Sequence, residues 1–141
     1  MRYHIGYTQG VFDMFHIGHL NLLNHAKEQC DCLIVGVNAD ALVEAYKHKK
    51  TVIPEGNRLE IIKNIKSVDE AFIAYTLDKQ AIYKEHKFDV IFIGDDWRGN
   101  ERWKRTEEIM SVYGVSVVYL PHTPETSSTL LRPQVGFSVP D

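Results

Sequence analysis

His4-Ile5-Gly6-Tyr7-Thr8-Gln9-Gly10 runs directly into Val11-Phe12-Asp13-Met14-Phe15-His16-Ile17-Gly18-His19, and then into Leu20-Asn21-Leu22-Leu23-Asn24-His25-Ala26-Lys27. The first part, His4 to Thr8, reads as a short strand leading into Gly10. The last part, His19 to Lys27, places Leu20, Leu22, Leu23 and Ala26 on one side of an amphipathic helix. Between them lies a loop with a glycine at each end. A strand, a glycine-bearing loop and a helix in immediate succession make one βα unit, and its loop faces the carboxyl edge of whatever sheet the strand joins.

The rest of the chain repeats that alternation. Leu33-Ile34-Val35-Gly36-Val37 reads as a buried strand, and Asn38 or Asp40 can cap a short helix reaching about Ala45. Tyr46 to Gly56 is basic and irregular. Asn57 to Ile65 has Leu59, Ile62 and Ile65 in helical register. Ala71 to Tyr75 is a strand, Lys79 to Lys87 a helix, and Val90 to Ile93 a strand ending at Gly94. Glu101 to Tyr113 is a helix stopped by Gly114, and Val115 to Leu120 is the last strand. Ser127 to Leu131 opens a short terminal helix that Pro133 ends. Strands alternating with helices imply a parallel sheet covered on both faces. The fold class is therefore α/β: a Rossmann-like, doubly wound, five-stranded sheet. It occupies one domain over residues 1–132, with a tail at 133–141.

Composition narrows the function. The 141 residues include 44% hydrophobic and 25% charged types, with a formal net charge of −3. That is an ordinary globular balance, without the basic surplus expected of a nucleic-acid binder. Positive charge gathers at Lys47 to Lys50 and from Arg98 to Arg105, which suits a small anionic ligand. Cys30 and Cys32 are too close for a disulfide framework or a zinc knuckle and read as plain thiols. No apolar run approaches the ~18 residues of a membrane span, so a cytoplasmic protein with no membrane partner is expected.

Chemistry is sought just after each strand. Gly10 permits a tight turn. Gly18 allows close backbone approach where the helix begins, and a helix N-terminus attracts phosphate. His16 and His19, three apart, can project to one side there and donate hydrogen bonds to phosphate oxygens. The same pair could simply cap the helix, or ligate a metal; no other Cys, His or carboxylate lies at a supporting spacing. The glycine–lysine–serine/threonine ending of a Walker loop is absent. At the end of the fourth strand, Gly94-Asp95-Asp96-Trp97 sets two acids at the same sheet edge, able to cap a helix, bind a metal or accept from a base amino group.

Gly10-x-Phe12-Asp13-x-x-His16-x-Gly18-His19 resembles the signature of the cytidylyltransferase branch of the HIGH-motif nucleotidyltransferases, and the likeness extends over about residues 3 to 132. It implies CMP transfer from CTP to a small phosphorylated or phosphonate acceptor, with pyrophosphate release. His16 and His19 would contact the nucleotide phosphates and stabilise the transition state, and Asp13 would hold the motif's geometry. Gly10, Val11, Phe12 and Gly18 would line the nucleotide. The basic stretch resembles that of the glycerol-3-phosphate cytidylyltransferases, with Lys47 facing the triphosphate and Lys49 the acceptor phosphate. Arg58 matches a substrate-phosphate arginine; its plain alternative is the helix surface. Gly94, Asp95, Asp96 and Trp97 resemble the segment near the cytosine and the acceptor. Ser67-Val68-Asp69-Glu70 resembles a dimer-interface segment, so a homodimer is implied. Mg²⁺ is expected on the nucleotide phosphates, with no protein ligand assigned. Products of such enzymes feed envelope, capsule or lipid polymers.

The last motif departs from that pattern. The family's Arg-Thr-Glu-Gly-Ile-Ser-Thr becomes His122-Thr123-Pro124-Glu125-Thr126-Ser127-Ser128. His122, Thr126, Ser127 and Ser128 would still meet the nucleotide, but a neutral histidine does not supply an arginine's fixed fork of donors. Ser127-Ser128-Thr129-x-x-Arg132 also resembles the wider superfamily's adenylyltransferases. ATP as donor, and a nucleotide-binding module without turnover, are the two competing expectations.

Overall fold

The computed structural model describes residues 2–121. In chain order the elements are β1 (Tyr3–Gly10), α1 (Ile17–Glu28), β2 (Cys30–Asn38), α2 (Asp40–Lys47), α3 (Glu55–Lys63), β3 (Glu70–Ala74), α4 (Lys79–His86), β4 (Val90–Gly94), a single 3-10 turn (Asp95–Trp97), α5 (Glu101–Ser111) and β5 (Ser116–Leu120). The five strands form one parallel sheet in the order β3-β2-β1-β4-β5. The doubly wound sheet expected from the alternation is the one observed. The expected helix at Ser127 to Leu131 and the tail lie outside the described residues.

Each strand feeds both faces because side chains alternate. Leu33, Val35 and Val37 meet Leu23 and Ala26 of α1 and Ile62 of α3 on one face. Ile34, Tyr7 and Ile91 meet Ile82 of α4 and Trp103 and Met110 of α5 on the other. Helices α1 and α3 therefore cover one face, and α4 and α5 the other. Neighbouring strands β1 and β4 send their next helices to opposite faces. That is the topological switch point, where a crevice opens at the carboxyl edge. Gly6 pairs with Val90 and Tyr7 with Ile91, and that register carried forward brings Gly10 level with Gly94. Both walls of the crevice thus begin with a glycine.

Element ends differ from the sequence reading for local reasons. Strand β1 runs on through Gln9 and Gly10, whose polarity hides them from a hydrophobic pattern. Helix α1 starts at Ile17, because its first turn holds a glycine and a capping histidine instead of apolar periodicity. Helix α2 has Ala39 at its N-cap with no side-chain cap bond. Asn38 and Asp40, the expected caps, are used elsewhere. Helix α5 ends at Ser111, and Gly114 turns the chain at φ 76°.

Candidate active site

The loop after β1 is built around Asp13. This residue is buried, and its two carboxylate oxygens accept the backbone N–H groups of Val52 (2.8 Å) and Ile53 (2.9 Å). The loop after α2 is thereby fastened to the loop after β1, although the two are about forty residues apart in sequence. Phe12 and Met14, on either side of Asp13, have φ of 54° and 50°. Non-glycine residues hold that left-handed conformation only where the surroundings over-determine it. Here the Asp13 bonds and the burial of Phe12 in the core do so. Asp13→Asn keeps the shape but supplies one acceptor oxygen where two are used. We expect it to raise the KM for nucleotide several-fold and lower the melting temperature, readable from initial rates and thermal unfolding.

His16 and His19 form a reciprocal cap at the start of α1. The Gly18 N–H donates to His16 Nδ1 at 3.0 Å, and the His16 N–H donates to His19 Nδ1 at 3.3 Å. Their rings lie 4.0 Å apart and are tilted by 31°. Phe12 meets the His19 ring edge-on at 5.6 Å and Phe15 lies 5.4 Å away. Because each Nδ1 accepts a backbone proton, each neutral ring must carry its own proton on Nε2. The cap therefore fixes the tautomer of both histidines and makes both Nε2 atoms donors. Capping and phosphate binding, which the sequence left as alternatives, are compatible uses of two different nitrogens.

Lys47 closes α2, and His48 follows in the left-handed conformation at φ 59°. Lys49 is exposed in the next loop, the one Asp13 holds. The loop that follows Lys47 and carries Lys49 is the one fastened to the loop after β1. Arg58 is not on the helix surface. Its side chain is fully buried. Nε donates to Ile53 O, Nη1 to Val11 O and Asn38 O (2.8 Å each), and Nη2 to Asp40 Oδ1 at 2.5 Å. Asp40 is held in turn by Thr51 Oγ1 and the Glu55 N–H. Arg58 is therefore a strut under the site, tying the ends of β1 and β2 to the loop before α3. Burial rules out the helix-surface alternative: the guanidinium donates to the carbonyls of Ile53, Val11 and Asn38 and to the Asp40 carboxylate, all inside the chain.

Across the crevice, a Cβ on Gly94 would lie 2.6 Å from Asp96 Oδ1, so glycine gives that carboxylate its place. Neither Asp95 nor Asp96 caps α5. Asn100 does so, accepting from Arg102 N and Trp103 N. Trp97 is half-buried, with the Arg102 guanidinium 5.7 Å from its ring centre. Thr8, which is buried, ties the two walls together through Oγ1 donating to Phe92 O at 2.9 Å. Among the sequence-derived site residues, Gly10, Val11, Phe12, Asp13, His16, Gly18 and His19 follow the end of β1, and Gly94, Asp95, Asp96 and Trp97 the end of the neighbouring β4, at the same sheet edge; Lys47 and Lys49 lie at the end of α2 and in the loop after it. His122, Thr126, Ser127 and Ser128 lie outside the described residues.

Lys79 was not singled out from the sequence. It is the first residue of α4, beside a cavity of about 110 Å³ that it lines with Gln80, Arg102, Trp103 and Met110. Its Nζ donates to Leu77 O at 3.0 Å and sits 5.4 Å from the centre of the Trp103 ring. Burial, then the nearby Arg102 charge, push its pKa down to about 8. Between about pH 8 and the ordinary lysine value the unfolded chain binds the proton and the folded one does not, so this residue's contribution to stability rises with pH. We expect the melting-temperature difference between wild type and Lys79→Met to shift in favour of wild type as pH goes from 8 to 10. A pH-independent difference would contradict the assignment.

Residues 7–134 match the cytidylyltransferase-like family model, and the chain belongs to that family. By that membership it is a nucleotidyltransferase. The glycerol-3-phosphate cytidylyltransferase of Bacillus subtilis (strain 168) is 33% identical over 131 residues, covering 92% of this chain and 95% of its own. An FAD synthase of Thermococcus onnurineus (strain NA1) is 33% identical over 117 residues, 80% of this chain and 76% of its own. Among solved structures, the lipopolysaccharide core biosynthesis protein of Thermoplasma volcanium GSS1 superposes with a TM-score of 0.71 at 27% identity, over 86% of this chain and 97% of its own.

Proposed function

We propose that this enzyme transfers CMP from CTP to a small phosphorylated acceptor, with glycerol 3-phosphate the first to test. The observation that carries the reading is the histidine pair: two imidazoles locked as Nε2–H donors at a helix N-terminus, on the switch-point crevice. An oxygen of the acceptor's phosphate attacks the α-phosphorus in line. The new O–P bond forms as the bond to the bridging oxygen breaks, and pyrophosphate leaves with that electron pair. The attacking oxygen is ionised at neutral pH and needs no base. Catalysis is then positioning plus preorganised donors for the charge that spreads over the phosphorus oxygens. His16, His19, Lys47 and the first turn of α1 meet the triphosphate; Lys49 meets the acceptor. Asp95, Asp96 and Trp97 face the base and the acceptor. Among the described residues no group of three or more His, Cys, Asp or Glu could hold a metal ion. Mg²⁺ on the nucleotide's phosphates would add to the charge neutralisation that the histidines and lysines supply.

Adenylyl transfer is the second reading. It is favoured by the likeness to an FAD synthase and by Ser127-Ser128-Thr129 with Arg132. A screen of phosphorylated acceptors, with the nucleotide adduct identified by mass, names the acceptor; no adduct with any acceptor would favour a binding module instead. The resemblance to a lipopolysaccharide core biosynthesis protein supports a product destined for a surface polymer. No helix among the described residues is long and apolar enough to cross a membrane, and we place the reaction in the cytoplasm. A homodimer through the segment around Val68 is checked by light scattering, with twice the 16.2 kDa chain mass expected.

A further inference from the structure

The segment after β4 is fastened from two sides by contacts between an arginine and an aromatic ring. Its backbone first closes on itself: the Arg98 N–H donates to Asp95 O and the Asn100 N–H to Trp97 O, each at 3.1 Å. Gly99 then turns the chain at φ 85° towards α5. Trp97 packs at the margin of the core on the α4–α5 face, with the Arg102 guanidinium 5.7 Å from its ring centre. Arg98 reaches to a different element. Its guanidinium carbon sits 4.8 Å from the centre of the Tyr119 ring.

The strand register shows what that contact joins. Tyr119 of β5 pairs with Ile93 of β4, and Leu120 with Gly94. Tyr119 is therefore level with the residue before the glycine that opens the segment. Arg98, beyond the 3-10 turn, folds back to that level and lays its charge on the edge strand. The ring is suited to receive it. Tyr119 is half-buried, and its Oη is shut off from solvent with no hydrogen-bond partner among the described residues. Burial, then the neighbouring Glu107 carboxylate, push its pKa up, so the ring stays a neutral phenol. What Tyr119 offers Arg98 is its π face, and a cation over such a face shifts an equilibrium by up to about fivefold where it stays exposed.

We propose that Arg98 and Tyr119 form a latch that positions Asp95, Asp96 and Trp97 against the edge strand, and that affinity for the nucleotide depends on this latch. The inference rests on the cytidylyl-transfer reading, which sets that segment against the base. Arg98 and Tyr119 are positioning residues, and neither has to touch the ligand. A segment already held in place loses less freedom when the nucleotide binds, so it binds more tightly.

Amide hydrogen exchange followed by mass spectrometry, and calorimetry with CTP, test the latch together. Arg98→Met keeps the apolar stem and removes the cation. It should speed exchange in residues 95–100 about fivefold and raise the Kd for CTP by about the same factor. It should leave kcat within about twofold, because the lost ordering weighs equally on ground and transition states. Arg98→Lys keeps a cation and should stay within about twofold of wild type. Tyr119→Phe keeps the π face and removes a hydroxyl that makes no hydrogen bond, so it should behave as wild type. Tyr119→Leu should reproduce Arg98→Met, and the double variant should lose nothing further, as expected for one shared contact. General destabilisation would instead speed exchange throughout the sheet, and that result overturns the latch. If Arg98→Met speeds exchange in 95–100 but binds CTP as tightly as wild type, the inference fails and the proposed function stands. If Arg98→Met weakens CTP binding and Tyr119→Leu does not, Arg98 meets the ligand itself and the latch is wrong. If wild type binds CTP but transfers CMP to no acceptor, the proposed function falls, and exchange and CTP affinity still decide the latch.

Discussion

Replacing His16 by alanine is expected to lower kcat for pyrophosphate release by about 10²- to 10³-fold, the usual loss for one preorganised transition-state donor. The structure allows that loss to be separated from damage to the fold. The two ring nitrogens of His16 differ: Nδ1 accepts the Gly18 N–H and caps α1, while in the proposed mechanism the Nε2–H would be the donor to phosphate. Alanine removes both and should also cost about 1 kcal/mol of stability through the lost cap. Asparagine is a good N-cap but has no donor at the Nε2 position. His16→Asn should therefore melt close to wild type and be nearly as inactive as His16→Ala. His19→Ala breaks the reciprocal bond from the His16 N–H, so it should lower kcat and also loosen His16. The double variant should fall short of the product of the two single losses, because the rings act as a unit. Initial rates and thermal unfolding of the four variants decide the matter. Full activity in His16→Asn would remove the histidine from the chemistry.

The second large effect concerns stability. Arg58→Met should destabilise the chain by about 3 kcal/mol, since it removes the partner of the half-exposed Asp40 carboxylate and leaves three carbonyls without the donors they were folded around. Lysine should not rescue it, because one ammonium cannot span Ile53 O, Val11 O, Asn38 O and Asp40 at once. Asp40 carries the same interaction in its titration. Burial alone would raise its pKa, but hydrogen bonds from Thr51 and Arg58 outweigh that and hold the carboxyl below the ordinary range. The folded pKa is depressed, so this contribution is fully present above about pH 4 and disappears as acid protonates Asp40. Wild type should lose stability below that pH more steeply than Arg58→Met. If Arg58→Met instead folds normally but raises the KM for the acceptor, the residue touches ligand and not the frame.

The parallel sheet was legible because apolar runs and helical periods depend only on the local order of residues; its strand order, and with it the switch point between β1 and β4, depends on long-range pairing. The histidine loop was legible because a glycine, an aspartate and two histidines at fixed spacing are unusual between a strand and a helix. The burial of Arg58 was not legible because it depends on distant partners: Val11, Asn38 and Asp40 come from different elements. The side-chain hydrogen bonds that run from Tyr7 to Gln9, from Gln9 to Asn38 and from Asn38 to Tyr46 were missed for the same reason, although one local sign existed. Asn38 is a polar residue ending an otherwise apolar strand, and such a residue must bond to something. Lys79 looked like an ordinary helix-start lysine because Trp103, which encloses it, lies on another helix.

The central claim is cytidylyl transfer, and pyrophosphate release measured side by side with CTP and with ATP, each with glycerol 3-phosphate, tests it most directly. CTP should support turnover at a kcat/KM at least tenfold above ATP, with CDP-glycerol as the product detected by mass. Equal or faster turnover with ATP, or pyrophosphate release that does not depend on the acceptor, would contradict it.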